Sequence, residues 1–546
     1  MRLVRCDSFG KETMARKHPR PAALQQCLLV PFHQQCWECG KRLWVASSAV
    51  RTVTTLNGLC QLTLKIRRCQ NPSCGRYHRS YRPEEEGHWA LPHGEFGLDV
   101  IALIGALRYT HHRSIPEIHR ELLTRSVLIA ERTVTNLLAR YEELVTLHLT
   151  DQTRLGHLLL AQGSVILALD GLQPDVGHEV LWVIRDCLSG EVLLARSLLC
   201  SSEADLAVLL REVQQSLPVP IRGVISDGQH SIRNAVQTVL PEIPYQLCHF
   251  HYLREAAKPI YEADRHAKKE LKKKLRGIHP IERGLEKRAD PEAQAIRGYC
   301  LAVRSALTDD GRPPLSASGL KLYERMTALL ASLTRVAEKR GSLAGELERL
   351  QSMLTKGVTA TSSLWADVQT GYHWVYRAAH ILSNEEKLKG AQVRQRYERL
   401  LAEMADVSAS SEALTTMLTT FRKVTASYWL GLFHCYDVPD LPRTNNGLEH
   451  YFGSARYYER RATGRKSASP GLVVRGPVRV IALVASCHHH FTSDDLRLTD
   501  ISRWRTLRNE LDYRQTIRRD RSRFRKSPEA YLATLEEMLL TERLPS

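Results

Sequence analysis

No run of about 18 or more apolar residues occurs anywhere in the sequence, which argues against a membrane-spanning helix. The longest candidates, Val100 to Leu107 and Val480 to Ala485, have the length of buried helices. The first twenty residues carry Arg2, Arg5, Lys11, Arg16, Lys17 and Arg20 but no apolar core segment, so no secretory signal is expected and the chain is placed in the cytoplasm. Internal repeats and low-complexity tracts are also missing, and no Tyr or Ser stands in a compelling nucleophile context. Acidic charge is in deficit: 77 Lys and Arg face 59 Asp and Glu, a net charge of +18 that favours a polyanionic partner. With membranes disfavoured, that partner is nucleic acid.

What is present begins with length and cysteine. A chain of 546 residues exceeds what one core organises, so several domains are expected. Thirteen cysteines in a reducing compartment argue against a disulfide framework and toward metal ligation. Cys36 and Cys39 form one knuckle, followed by Gly40; Cys69 and Cys74 form a second, followed by Gly75. The alternation of Val50, Val53, Leu56, Leu62, Leu64 and Ile66 between them predicts strands. Two knuckles across a hairpin can bring four thiolates onto one structural Zn²⁺, a zinc ribbon. His78 is a possible substitute ligand, and Cys60 is expected to be structural.

From Phe96 to Leu147 the apolar period becomes helical in three short pieces, the last carrying Val134, Leu137, Leu138 and Tyr141. A helix-turn-helix would direct Arg132, Thr133, Asn136 and Arg140 outward, residue types that reach phosphates and base edges. A plain three-helix bundle with a polar face gives the same pattern. At Val165 the period changes again, and the predicted order through Cys248 is βββαβαβ, with Leu188-Ser189-Gly190 as a hairpin turn and Ser202 opening a helix. Asp170 and Asp227 each end an apolar strand, where a carboxylate is costly to bury unless it is paired or holds a hard cation such as Mg²⁺ or Mn²⁺. Two such ions can assist in-line phosphoryl transfer. After His251 the pattern stays helical to about Tyr428. Thr444-Asn445-Asn446 then caps a helix bearing Glu449 and a basic face of Arg456, Arg460, Arg461, Arg465 and Lys466. Glu449 is the expected third acid, with Glu459 its nearest rival, and another helix is expected from Val478 to His490.

Leu169-Asp170-Gly171, Ser226-Asp227-Gly228, Cys248-His249-Phe250-His251 and Asn445-Asn446-Gly447-Leu448-Glu449 resemble the motifs of bacterial insertion-sequence DDE transposases. The branch they are most similar to has a helical insertion before the glutamate, as in Mutator-like and hAT-like elements. The resemblance covers roughly Val165 to His490. It implies that Asp170, Asp227 and Glu449 hold two Mg²⁺ ions, and that Cys248 and His251 support the active site or touch DNA rather than forming a metal pair. It further implies an aromatic of the insertion stacking on a displaced base, with Trp365, Trp374 and Trp429 as candidates against ordinary core packing.

The expected architecture is therefore an α/β multidomain chain: a zinc ribbon over 1–82, a helix-turn-helix over 95–150, and an RNase H-like mixed sheet in two parts, 160–278 and 441–495. An all-helical insertion over 279–440 splits that sheet domain, and a basic helical tail covers 496–546. The expected partners are double-stranded DNA, which would place the protein at the nucleoid, and a second copy of the chain. His488-His489-His490 are read as surface. Two rival functions stay open: a DNA-binding regulator without chemistry, and an RNase H-like nuclease without strand transfer.

Overall fold

The computed structural model describes residues 23–173, 178–309, 311, 314–341, 343, 345–406, 411–464 and 470–542; the side chains at 448–451, 455, 462, 470 and 542 are not described. Arg465 and Lys466 lie outside the described residues. The chain is mixed α/β and forms two compact units, one of Met1–Asp151 with Ser454–Ser546, the other of Gln152–Gly453. Among the described residues no helix is long and apolar enough to cross a membrane.

The first unit opens with β1 (Gln25–Leu29), β2 (Trp44–Thr55), β3 (Gly58–Arg68) and β4 (Ser80–Tyr81), in the order β1-β3-β2 with β4 also on β3. β2 and β3 form an antiparallel hairpin ending at Thr55↔Gly58, and Gly58 takes φ +108, a conformation that L side chains rarely adopt. Alternation along the hairpin turns Val53, Cys60, Leu62, Leu64 and Ile66 to one face, where they bury Leu29 and Ala90. A short helix α1 (Glu86–Trp89) leads to α2 (Leu98–Tyr109), α3 (Ile115–Thr124) and α4 (Glu131–Leu149). The start of α3 is fixed by a reciprocal box of Ser114 and Glu117, with proline in the first turn. Three helices thus occupy the stretch from Phe96 to Leu147 whose apolar period is helical, with the last running on to Leu149.

The second unit begins with α5 (Gln152–Gln162) and then runs β5 (Val165–Leu172), β6 (Val180–Asp186), β7 (Val192–Leu198), α6 (Glu203–Ser216), β8 (Ile221–Ser226), α7 (His230–Val239) and β9 (Tyr245–Leu247). The sheet order is β7-β6-β5-β8-β9: β5, β6 and β7 pair antiparallel, while β5, β8 and β9 run parallel. Val165, Leu167 and Leu169 of β5 face Leu206, Leu210, Ile232 and Val236 of α6 and α7. The hairpin between β6 and β7 is held by Asp186, fully buried, whose carboxylate accepts from Ile166 N, Gln162 Nε2, Ser189 N and Ser189 Oγ at 2.7–2.9 Å. Helices α8 (His249–Ala256), α9 (Lys258–Lys274) and on to α16 (Glu412–Tyr428) then build a separate apolar core. Lys268 in the basic run of α9 is buried and donates to Asp309 O, while Lys273 pairs with Glu270 at the surface.

Helix α17 (Asn446–Thr463) crosses the boundary between the units and is followed by α18 (Pro470–Ser486), α19 (Ile501–Lys526) and α20 (Pro528–Glu542). The boundary at Gly453 differs from the expected one: residues 454–495 belong with the N-terminal helices and not with the sheet. The reason is charge pairing. Glu142 and Glu143 of α4 are fully buried. Glu142 accepts from Tyr109 Oη (2.7 Å), Arg475 Nε (2.7 Å) and Arg479 Nε (3.0 Å), and Glu143 from Arg475 and from Trp504 Nε1 (2.9 Å). Burial alone would raise the Glu142 pKa, but the Arg479 and Arg475 guanidiniums outweigh it and hold the carboxyl below its ordinary value. α18 also differs from the expected Val478–His490 helix. It starts at Pro470, kinks at Arg475 ahead of Pro477 and stops at Ser486, so His488, His489 and His490 are exposed beyond its end. Removing one member of such a buried network strands its partners. Glu142→Ala is expected to cost about 3 to 5 kcal/mol in urea unfolding, and a loss below about 1 kcal/mol, the range of exposed pairs, would show that the arginines are solvated without it.

Candidate acidic site and cysteine cluster

The parallel register between β5 and β8 ends at Ala168↔Ile225, and Asp170 and Asp227 each follow two residues beyond it on these neighbouring strands. Strand alternation then decides the face. Leu167, Leu169 and Val224 point into the core under α6 and α7, so Ala168, Asp170 and Ile225 belong to the other face, and Asp227 follows directly after the end of β8. Asp170 is buried within β5, and its Oδ1 accepts from Gly171 N at 2.8 Å. Asp227 is half-buried just past β8, where its Oδ1 accepts from Gln229 N (3.0 Å) and caps the approach to α7. Each aspartate is followed by a glycine with little room for a side chain. A Cβ at Gly171 would lie 3.1 Å from the Trp182 ring, and one at Gly228, which has φ +86, would lie 2.9 Å from the Tyr428 ring.

The same face receives the start of α17. Asn445 is buried; its Nδ2 donates to Leu169 O (2.9 Å), one residue before Asp170, and its N–H donates to Cys248 Sγ (3.3 Å). Cys248 N in turn donates to Ser226 O (2.9 Å), one residue before Asp227. One asparagine therefore ties the α17 start to both aspartate-bearing strands. A Cβ at Gly447 would collide with the Arg185 guanidinium of β6, so this glycine permits the close approach. Glu449 falls in the first turn of α17, and its side chain lies outside the described residues. Glu459, the rival acid, belongs to the first unit and is held there by Arg108 (2.7 Å) and Arg479 (3.3 Å), which removes it from this site.

Of the Cys-x-x-His residues, Cys248 is the anchor just described, whereas His251 is half-buried on α8 with its ring edge-on to Phe250. The histidine buried in that motif is His249: Nε2 donates to Leu432 O (2.8 Å), and burial pulls its pKa down to about 4, so it is a neutral structural strut. The helical segment also reaches the acidic loop, because Tyr428 Oη donates to Asp227 O (3.1 Å) and Arg233 lies over the Tyr428 ring. Trp365 is buried in a stack on Tyr323, Trp374 is buried beside Arg377, and half-buried Trp429 meets Phe433 edge-on. All three serve core packing here.

In the first unit, Cys36, Cys39, Cys69 and Cys74 converge with all four sulfurs within 4.8 Å of one another, a group that could hold a metal ion. Sulfurs around a tetrahedral zinc at about 2.3 Å stand roughly 3.8 Å apart; Cys36–Cys74 and Cys39–Cys69 are at 3.7 and 3.6 Å. The knuckles brace each other through Gly75 N, which donates to Glu38 Oε1 (3.2 Å). A hydrogen bond from the Tyr81 hydroxyl is the main cause that lowers Cys36 to about 6. At Cys74 the Arg76 N–H acts downward, but burial and the other three thiols outweigh it and push the pKa up to about 12. Without a cation the cluster resists four negative charges, which fits a dicationic occupant. His78 is not part of the group, and Cys60 lies in the strand core, as expected of a structural residue.

Among the expected DNA contacts, Arg132 and Asn136 are exposed on α4 and Thr133 is half-buried there. Arg140 differs: it donates to Glu143 (2.5 Å) and lies against the Trp504 ring, so it is spent within the unit. Arg456 and Arg460 are exposed on α17. Sequence reasoning missed Asn445 as an anchor, having read it only as part of a cap, and missed the Glu142–Glu143 network, whose partners Arg475, Arg479 and Trp504 lie more than 300 positions away along the chain. No protein-family model matches the chain, and no curated protein matches it either.

Proposed function

We propose that the chain is a DNA transposase of the acidic-triad type, with Asp170, Asp227 and Glu449 as its metal-holding residues. The observation that carries this reading is that Asp170 and Asp227 each stand two residues beyond the last β5–β8 pair, on neighbouring strands, with the α17 start tied to both strands through Asn445 and Cys248. The strand order β7-β6-β5-β8-β9, with a helical segment between β9 and α17, supports an RNase H-like domain split by an insertion. Asn445 Oδ1, buried and without a hydrogen-bond partner, supports a site completed by something bound. The donor set, carboxylates on neighbouring strands, suits hard cations such as Mg²⁺.

Such cations, when bound, supply charge stabilisation to the attacking and leaving oxygens of a phosphodiester. The chain itself holds the carboxylates rigidly, through buried β5 and the capped loop after β8. Exposed Arg132 and Asn136 on α4, and Arg456 and Arg460 on α17, support recognition of duplex DNA. Hydrolysis at an element end would free a 3′-hydroxyl, whose attack on target DNA forms one P–O bond as another breaks and so needs no energy-rich cofactor.

Incubating the purified chain with labelled DNA carrying the ends of its flanking element, in Mg²⁺, tests the reading. Cleaved and joined products are expected from the natural chain and neither from Glu449→Gln. Cleavage without joining would identify a nuclease, and binding without chemistry in both would identify a regulator.

A further inference from the structure

The C-terminal arm carries a feature that DNA chemistry does not use. Helix α19 is anchored at its beginning by buried Trp504 and Leu511, but every residue from Arg521 to Ala530 is exposed. Beyond it α20 exposes Leu532, Leu535, Met538, Leu539 and Leu540, each 39 to 66 % accessible. Leu532, Leu535 and Leu539 fall at i, i+3, i+7 and form one apolar stripe. A fifteen-residue helix is marginal in water by itself, so this stripe needs a partner surface.

Its own α19 touches α20 but leaves that stripe exposed. Ser527 alone joins the two helices, whereas an antiparallel helical hairpin takes a loop of about 2 to 5 residues. Across the joint, the ring of Phe524 meets Tyr531 edge-on at 5.7 Å, close to the turn and ahead of the leucine stripe. Charge indicates what would fit instead. α20 contains Glu529, Glu536, Glu537 and Glu542 and no basic residue. α19 carries Arg518, Arg519, Arg521, Arg523, Arg525 and Lys526 in its distal half, around an exposed stripe of Tyr513, Ile517 and Phe524 at i, i+4, i+11.

We propose that α20 docks on α19 of a second copy of this chain, and reciprocally, so that two arms exchange into a two-fold symmetric dimer. Each contact is then made twice, leucine stripe against Tyr513, Ile517 and Phe524, and glutamates against arginines, as an isologous interface requires. This goes beyond the catalytic reading, and its test uses no DNA.

Light scattering and sedimentation of the full chain are expected to give a dimer. Leu535→Asp with Leu539→Asp should weaken self-association by about 100-fold or more while the circular dichroism spectrum loses no more helix than α20 itself contributes, since both side chains are exposed. Glu536→Arg with Glu537→Arg, and separately Arg518→Glu with Arg525→Glu, should each weaken it. Mixing these two charge variants should restore the dimer, because only the heterodimer matches opposite charges at both contacts. A monomeric natural chain, a leucine variant that stays dimeric, or a mixture of charge variants that stays monomeric would each overturn the proposal.

Discussion

Asp170→Asn is expected to lower DNA cleavage by on the order of 1000-fold while leaving DNA affinity and unfolding temperature nearly unchanged. The substitution keeps the shape of the side chain and the acceptor oxygen that Gly171 N uses, so the strand retains its local bond. It removes the negative charge, which is what a divalent cation would require of this buried position in the middle of a sheet face. The residues proposed to meet DNA are others, on α4 and on the turns of α17 beyond Glu449, so binding and chemistry should separate. Footprinting or anisotropy beside a single-turnover cleavage assay checks both halves. Cleavage by Asp170→Asn at more than about a tenth of the natural rate would remove Asp170 from the site. Lost binding at natural stability would instead make it a DNA contact.

The parts of this molecule that could be read from sequence are those written in short-range pattern. The change of apolar period at Val165 gives β5 to β9 in order, and Asp227 directly follows β8 as expected, whereas β5 runs on to Leu172 and so holds Asp170 within the strand and not at its end. The knuckle spacing of the four cysteines likewise survives in space. What was not legible depends on pairings between distant charges. Arg475 and Arg479 look like solvated residues of an apolar helix, and Glu142 and Glu143 like a polar face; only their mutual burial draws α18 to α4 and moves the unit boundary to Gly453. The same pairing takes Arg140 away from a DNA-facing role and Glu459 away from the acidic site. Asn445 and Asn446 are both good helix-capping residues by type, so nothing local separates the one that fastens β5.

The second large effect is expected at the cysteine cluster, on removing the metal ion that its four thiols could hold. Chelation, or Cys36→Ser, should unfold the segment from β1 to β4, because the apolar core there is a handful of side chains around Leu62 and Leu64 and the knuckles have little else to hold them. Structural zinc in small modules contributes about 10 to 16 kcal/mol of binding free energy near neutral pH, more than the whole stability of a typical domain. Four thiolates must be deprotonated to bind it, so affinity should fall as pH falls, and the segment should become easier to unfold in acid. The measurement is a thiol titration with and without chelator. Cys36, Cys39, Cys69 and Cys74 should react slowly in the metal-loaded protein and quickly after chelation, with DNA-end affinity dropping in parallel. Thiols that react at the same rate in both states would show that the cluster is a packed set of free cysteines. Faster reaction with unchanged DNA affinity would keep the metal site but remove the ribbon from end recognition.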